Sequence, residues 1–162
     1  MTGKQTEPLT VKSCMKRTVV SIDSTATALD AAALVAKHHI GLLPVVGEAG
    51  QLVGVLDVHD LLTLELPDFV KFVSDVDFVH DFGAVETTRP SAAVLSRKVE
   101  ALMEKPISVD EDAGLLRAYV LMIQRNVHDM PVVSKGGRLI GIISRVDIAA
   151  AILKMWHKVE KK

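Results

Sequence analysis

Along the chain, short aliphatic runs alternate with stretches whose apolar positions step by three and four. Thr18–Ile22 reads as a short strand. The stretch after it carries Leu29, Ala33, Ala36 and Ile40, one face of a helix. That helix has to stop before Pro44, because a residue preceding proline is pushed out of helical geometry. Pro44, Val45 and Val46 open a strand, and Glu48–Gly50 form a turn in which glycine supplies positive φ at little cost. Leu52–Leu56 returns as a second strand and closes a hairpin. A helix then starts near Asp57.

The series comes back once. Displaced by 87 positions, Ile22–Asp60 falls on Val109–Asp147 without a gap, and 12 of the 39 pairs are identical. The second copy has a strand at Ile107–Val109 and a helix carrying Leu116, Val120, Ile123 and Val127. Pro131, Val132 and Val133 open its next strand, Lys135–Gly137 its turn, Leu139–Ile143 its last strand, and a helix begins near Ser144. Two copies are too few for a solenoid. The pattern therefore predicts an α/β fold of two tandem β-α-β-β-α repeats, related by a pseudo-two-fold axis and packed through their sheets. Between the copies, Leu61–Ser74 reads as helix interrupted at Pro67, Asp75–Pro90 as a polar loop and Ser91–Met103 as helix. Ala149–Val159, with Trp156, reads as a terminal helix.

Composition narrows the function classes. Nineteen Lys and Arg against twenty Asp and Glu leave a net charge of −1, without the basic excess of a dedicated nucleic-acid binder. No apolar run approaches the ~20 residues that span a bilayer, and Met1–Thr10 lacks the apolar core of a signal peptide. The single cysteine, Cys14, suits a reducing cytoplasm and has no evident base beside it. With 49% apolar residues and a mean hydropathy of +0.30, the chain carries more apolar surface than one small domain needs, which points to a homodimer.

The stretch Gly141-Ile-Ile-Ser-Arg-Val-Asp147, after His128-Asp-Met-Pro-Val-Val133, resembles the tandem cystathionine-β-synthase (CBS) domain, the Bateman module, because the pattern also repeats. The resemblance covers about Val11–Leu62 and Lys98–Leu153. It divides the chain into repeats at 11–66 and 98–156, with a linker at 67–97 that carries helical segments. It implies a cleft between the repeats for an adenosine ligand (AMP, ADP, ATP or S-adenosylmethionine), with no required cofactor. It also implies a sensing role without catalysis, exerted on an unidentified regulated protein or through the dimer. Only ten residues precede the first copy and few follow the last helix, so a stand-alone module is expected. The alternative is a protein–protein interaction or structural dimer module with vestigial sites.

Ser144 sits where a strand passes into a helix, whose exposed N–H groups and dipole suit a phosphate. The resemblance gives Asp147 the ribose hydroxyls and lets the backbone at Gly141 approach the base, with Ile142 beside it. Ser-x-x-Asp is equally a capping box, and the two roles are compatible. In the first copy Asp60 is retained, but Asp57 replaces the serine, a good cap and a poor neighbour for phosphate. His128, where the family can place a basic residue, is either a phosphate contact or a histidine near a helix end; its counterpart is Gly41. By family geometry Val20, Ile40 and Gly41 wall the Asp147 site, and Ile107 and Val127 the Asp60 site. His38 and His39 are adjacent on a helix and cannot share a metal from one face. Asp75, Asp77, His80 and Asp81 show no metal-ligand spacing. No phosphate-binding Gly-x-x-x-x-Gly-Lys loop and no nucleophile–base pair is visible.

Overall fold

A computed structural model describes residues 9–64 and 90–159. The elements run β1 (Ile22–Asp23), α1 (Ala28–His38), β2 (Leu42–Val46), β3 (Leu52–Asp57), α2 (Val58–Thr63), α3 (Ala92–Leu95), β4 (Val109–Asp110), α4 (Leu115–Gln124), β5 (Asp129–Val133), β6 (Leu139–Ser144) and α5 (Arg145–Val159). They form two three-stranded sheets, β1-β2-β3 and β4-β5-β6, each with one parallel and one antiparallel pairing. The predicted repeat is present in the registers themselves. Ile22 pairs with Val45 as Val109 does with Val132, and both hairpins shift register at the same point, Val45/Val46 and Val132/Val133. Gly50 and Gly137 turn the two hairpins at φ of 75° and 79°, a region that favours glycine.

Local signals explain where the helices start and stop. Thr27 caps α1 in a reciprocal box with Asp30, satisfying two of the N–H groups a helix leaves free. Both α1 and α4 are followed by a left-handed residue, His39 or Asn126, ahead of the Pro-containing strand.

The first strand of each unit is shorter than its sequence suggests. β1 is two residues long, and Thr18, Val19 and Val20 line a cleft instead of pairing. The expected helix Ser91–Met103 is broken into α3 and a 3-10 turn at Val99–Ala101. The linker segments at 65–89 lie outside the described residues.

A second difference concerns the helix faces. The face of α4 marked by Leu116, Val120 and Ile123 points outward, with Leu116 71% exposed. The core is served by a second apolar stripe, Leu115, Ala118 and Met122. In α1, Leu29 is likewise exposed while Ala28 and Ala31 are buried.

Each core is closed by a segment that precedes the other unit. Val11 and Met15 are buried with Val109, Met130, Val132 and Ile143 of the second unit. Val99 is buried with Ile22, Leu43, Val45 and Leu56 of the first, with Met103 packed alongside. Backbone bonds hold the exchange: Val11 N donates to Ala113 O and Val99 N to Ala26 O, both at 2.9 Å.

Gly141 has a packing role here. A Cβ on it would stand 2.7 Å from Met15 Sδ and 3.1 Å from the Lys16 carbonyl oxygen. Gly54 has the matching role, since a Cβ there would lie 2.8 Å from Met103 Cγ.

Gly141→Ala is therefore expected to destabilise the protein by ~1–3 kcal/mol through overpacking. Gly136→Ala, whose Cβ would meet only Ser134 Oγ at 3.9 Å, is expected to stay within ~0.5 kcal/mol. Paired thermal denaturation of the two variants checks this.

Candidate functional site

The start of α5 carries the most chemistry. Asp147 Oδ2 accepts from the Ser144 backbone N–H at 2.9 Å and from Ser144 Oγ at 2.7 Å, while Ser144 Oγ accepts from Asp147 N at 3.1 Å. The capping box is thus real. It uses one carboxylate oxygen and leaves Oδ1, which lies 3.5 Å from Lys16 Nζ. Arg145 fixes this turn to the end of α4: its Nε donates to Val127 O at 2.8 Å and its Nη2 to Met122 O at 3.2 Å. A cation on the last carbonyls of a helix satisfies groups that the helix itself cannot. Neither Lys16 nor Arg145 belongs to the residues that the sequence pattern picks out.

A cleft of about 300 Å³ opens between the two units. Val20, Ile40 and Gly41 come to it from the first unit, Ile142 and Asp129 from the second, and Lys16 from the crossing segment. The expected wall of the Asp147 side thus comes together, with Ile142 opposite. Asp147 itself lines an adjoining cavity of about 380 Å³ with Ser13, Cys14 and Lys154, and Lys16 stands between the two spaces. Ser144 and His128 do not line the cleft. His128 is exposed, its carbonyl accepts from Arg145 N at 3.0 Å, and the repeat makes it the counterpart of Gly41, on the opposite side of the pair from the Asp147 wall.

The first copy repeats the cap with different charges. Asp57 N donates to Asp60 Oδ2 at 2.9 Å, and Asp57 Oδ1 accepts from His59 N at 2.8 Å. Ile107 and Val127 are half-buried against the second core.

Ionisation follows these contacts. Partial burial opposes the Asp147 charge, but the Ser144 hydrogen bonds and the Lys16 ammonium outweigh it and hold the carboxyl below the ordinary range. Asp129 goes the other way. Burial, reinforced by the Asp147 and Asp57 carboxylates, pushes it up against the pull of Lys16 and His128. Burial and the Asp147 charge also raise the Cys14 thiol, which keeps it protonated and unreactive. No group of three or more metal-ligating side chains occurs among the described residues. No helix among them is long and apolar enough to cross a membrane.

Two α/β units with exchanged segments, a cleft between them and an acid at each helix start define a tandem α/β module. The chain belongs to the CBS domain family, whose model matches it at residues 11–66 and 99–154. It is similar to the protein MK0525 of Methanopyrus kandleri, 28% identical over 134 residues, 82% of this chain and 57% of the relative's length. It is similar to a CBS domain-containing protein of Dictyostelium discoideum, 26% identical over 92% of this chain and 94% of that one. Among solved structures it resembles CBSX2 in complex with AMP, at 26% identity and a TM-score of 0.68, over 90% of this chain and 97% of that chain.

Because Asp129 is harder to ionise folded than unfolded, its charge costs stability once pH exceeds the ordinary carboxylate range. The cost grows up to the raised folded-state value and is constant above it. Asp129→Asn should therefore melt higher than wild type at pH 7, with the gain fading as pH falls through that window. Melting curves across pH check the sign.

Proposed function

We propose that the chain is a regulatory CBS pair that binds an adenine nucleotide or related adenosyl ligand in the Val20–Ile40–Ile142 cleft. Catalysis is no part of this reading. Binding is passed to a regulated protein, or through a homodimer, in the cytoplasm. One observation carries the reading: a slot of ligand size, with Val20, Ile40 and Ile142 in its wall, lies between the units beside a carboxylate that is pre-oriented by its cap and turns its second oxygen to the exposed Lys16 ammonium. CBSX2, similar in fold and at 26% identity, has a solved complex with AMP, which supports the ligand class.

The two copies are used unequally in this reading. Ser144 at the Asp147 cap carries no charge to oppose a phosphate, whereas Asp57 at the Asp60 cap repels one. Asp147→Ala removes a charged acceptor whose hydrogen bonds are each worth ~1.5–3 kcal/mol, so AMP affinity should fall at least tenfold. Asp60→Ala should leave it nearly unchanged. Calorimetry on both variants decides the matter, and equal losses would remove the asymmetry.

Assembly rests on the outward faces of the helices. Leu116, Val146 and Trp156 are 71%, 74% and 66% exposed, and large apolar side chains in such numbers mark an interface. A homodimer at micromolar concentration is expected in light scattering, and a monomer there would refute it. If the dimer forms and the cleft binds no adenosine ligand, the alternative of a structural module with vestigial sites takes over.

A further inference from the structure

The crossing segments align at an offset of 88 residues, one more than the rest of the repeat. Lys16 exchanges two backbone hydrogen bonds with Ile142, both at 2.9 Å, and Glu104 exchanges two with Val55, at 3.0 and 2.8 Å. Lys16 and Glu104 are therefore equivalent positions with opposite charges. Lys16 stands beside Ser144 and Asp147; on the other side of the pair the matching residues are Glu104, Asp57 and Asp60. Among the described residues, Lys16 is the one lysine or arginine lining the cleft, and it faces two carboxylates, Asp147 at 3.5 Å and Asp129 on the wall.

The pairing of Lys16 with Asp147 contributes little to folding, because the lysine side chain is 64% exposed and such pairs are well screened. Its backbone is pinned at two points while its ammonium is free to turn from Asp147 into the cleft. Without it, a phosphate entering there would meet the Asp129 carboxyl, with Thr18 and His39 as the other polar side chains of the wall.

We propose that Lys16 sets the ligand class of this site, favouring adenosine ligands that carry a phosphate over uncharged adenosine and over the cationic S-adenosylmethionine. The proposal rests on the reading of the cleft as an adenosine-ligand site. A flexible ammonium opposite a phosphate forms a charge-assisted bond that a neutral ligand cannot make.

The test is calorimetry of the full chain with AMP, adenosine and S-adenosylmethionine, on wild type and Lys16→Gln. Wild type should bind AMP at least tenfold more tightly than either other ligand. Lys16→Gln should weaken AMP about tenfold or more and adenosine less than about threefold, with a melting temperature within about 3 °C of wild type. Equal weakening of AMP and adenosine would make Lys16 a structural residue and overturn the proposal. So would unchanged AMP binding, or a wild type that does not discriminate among the three. A wild type that binds none of them would overturn the cleft reading as well.

Discussion

Val11 and Met15 on one side, and Val99 and Met103 on the other, fill the cores of units they do not precede directly in sequence order. The rest of the structure depends on this exchange. Each three-stranded sheet is too small to bury its apolar face alone, and the arriving side chains supply what is missing. The close approach requires a residue without a side chain in the facing strand, hence Gly54 and Gly141. The crossing also sets the position of the cleft, because Lys16 follows Met15 directly as the segment leaves the second core.

The caps tie stability to chemistry. Asp60 and Asp147 each satisfy a backbone N–H at a helix start, so the carboxylates are held in one orientation before any ligand arrives. An acceptor fixed in advance loses little side-chain entropy on binding. Arg145 adds a second restraint in the second unit only, since Val58 stands at its place in the first. The two units thus share a backbone plan and differ in the charges mounted on it.

Much of this plan is legible in the sequence, because proline, glycine and aliphatic strand residues recur at a constant spacing from Ile22 to Asp60 and from Val109 to Asp147. What is not legible has physical causes. The crossing segments are short, carry few identities and run one residue out of step, so the equivalence of Lys16 and Glu104 stays hidden until backbone bonds are traced. The helices α1 and α4 carry apolar residues on two faces, and periodicity alone cannot say which faces the core. Thr18–Val20 has strand-like composition, yet it borders a cleft and finds no neighbour to pair with. Gly141 is visible as a glycine, but whether it makes room for a ligand or for Met15 depends on a contact far away in sequence.

The exchanged segments also bear on how such a chain arises. A single repeat with its lead segment has a core that only a second copy can complete, so an unduplicated ancestor would have folded as an obligate pair of molecules trading segments. Fusing the two copies makes that association intramolecular and independent of concentration. It also ends the enforced identity of the halves. While two molecules come from one gene, a lysine at the crossing point appears at both sites or at neither; after fusion, one site can hold Lys16 and the other Glu104, and a symmetric dimer becomes a single chain with two chemically different halves.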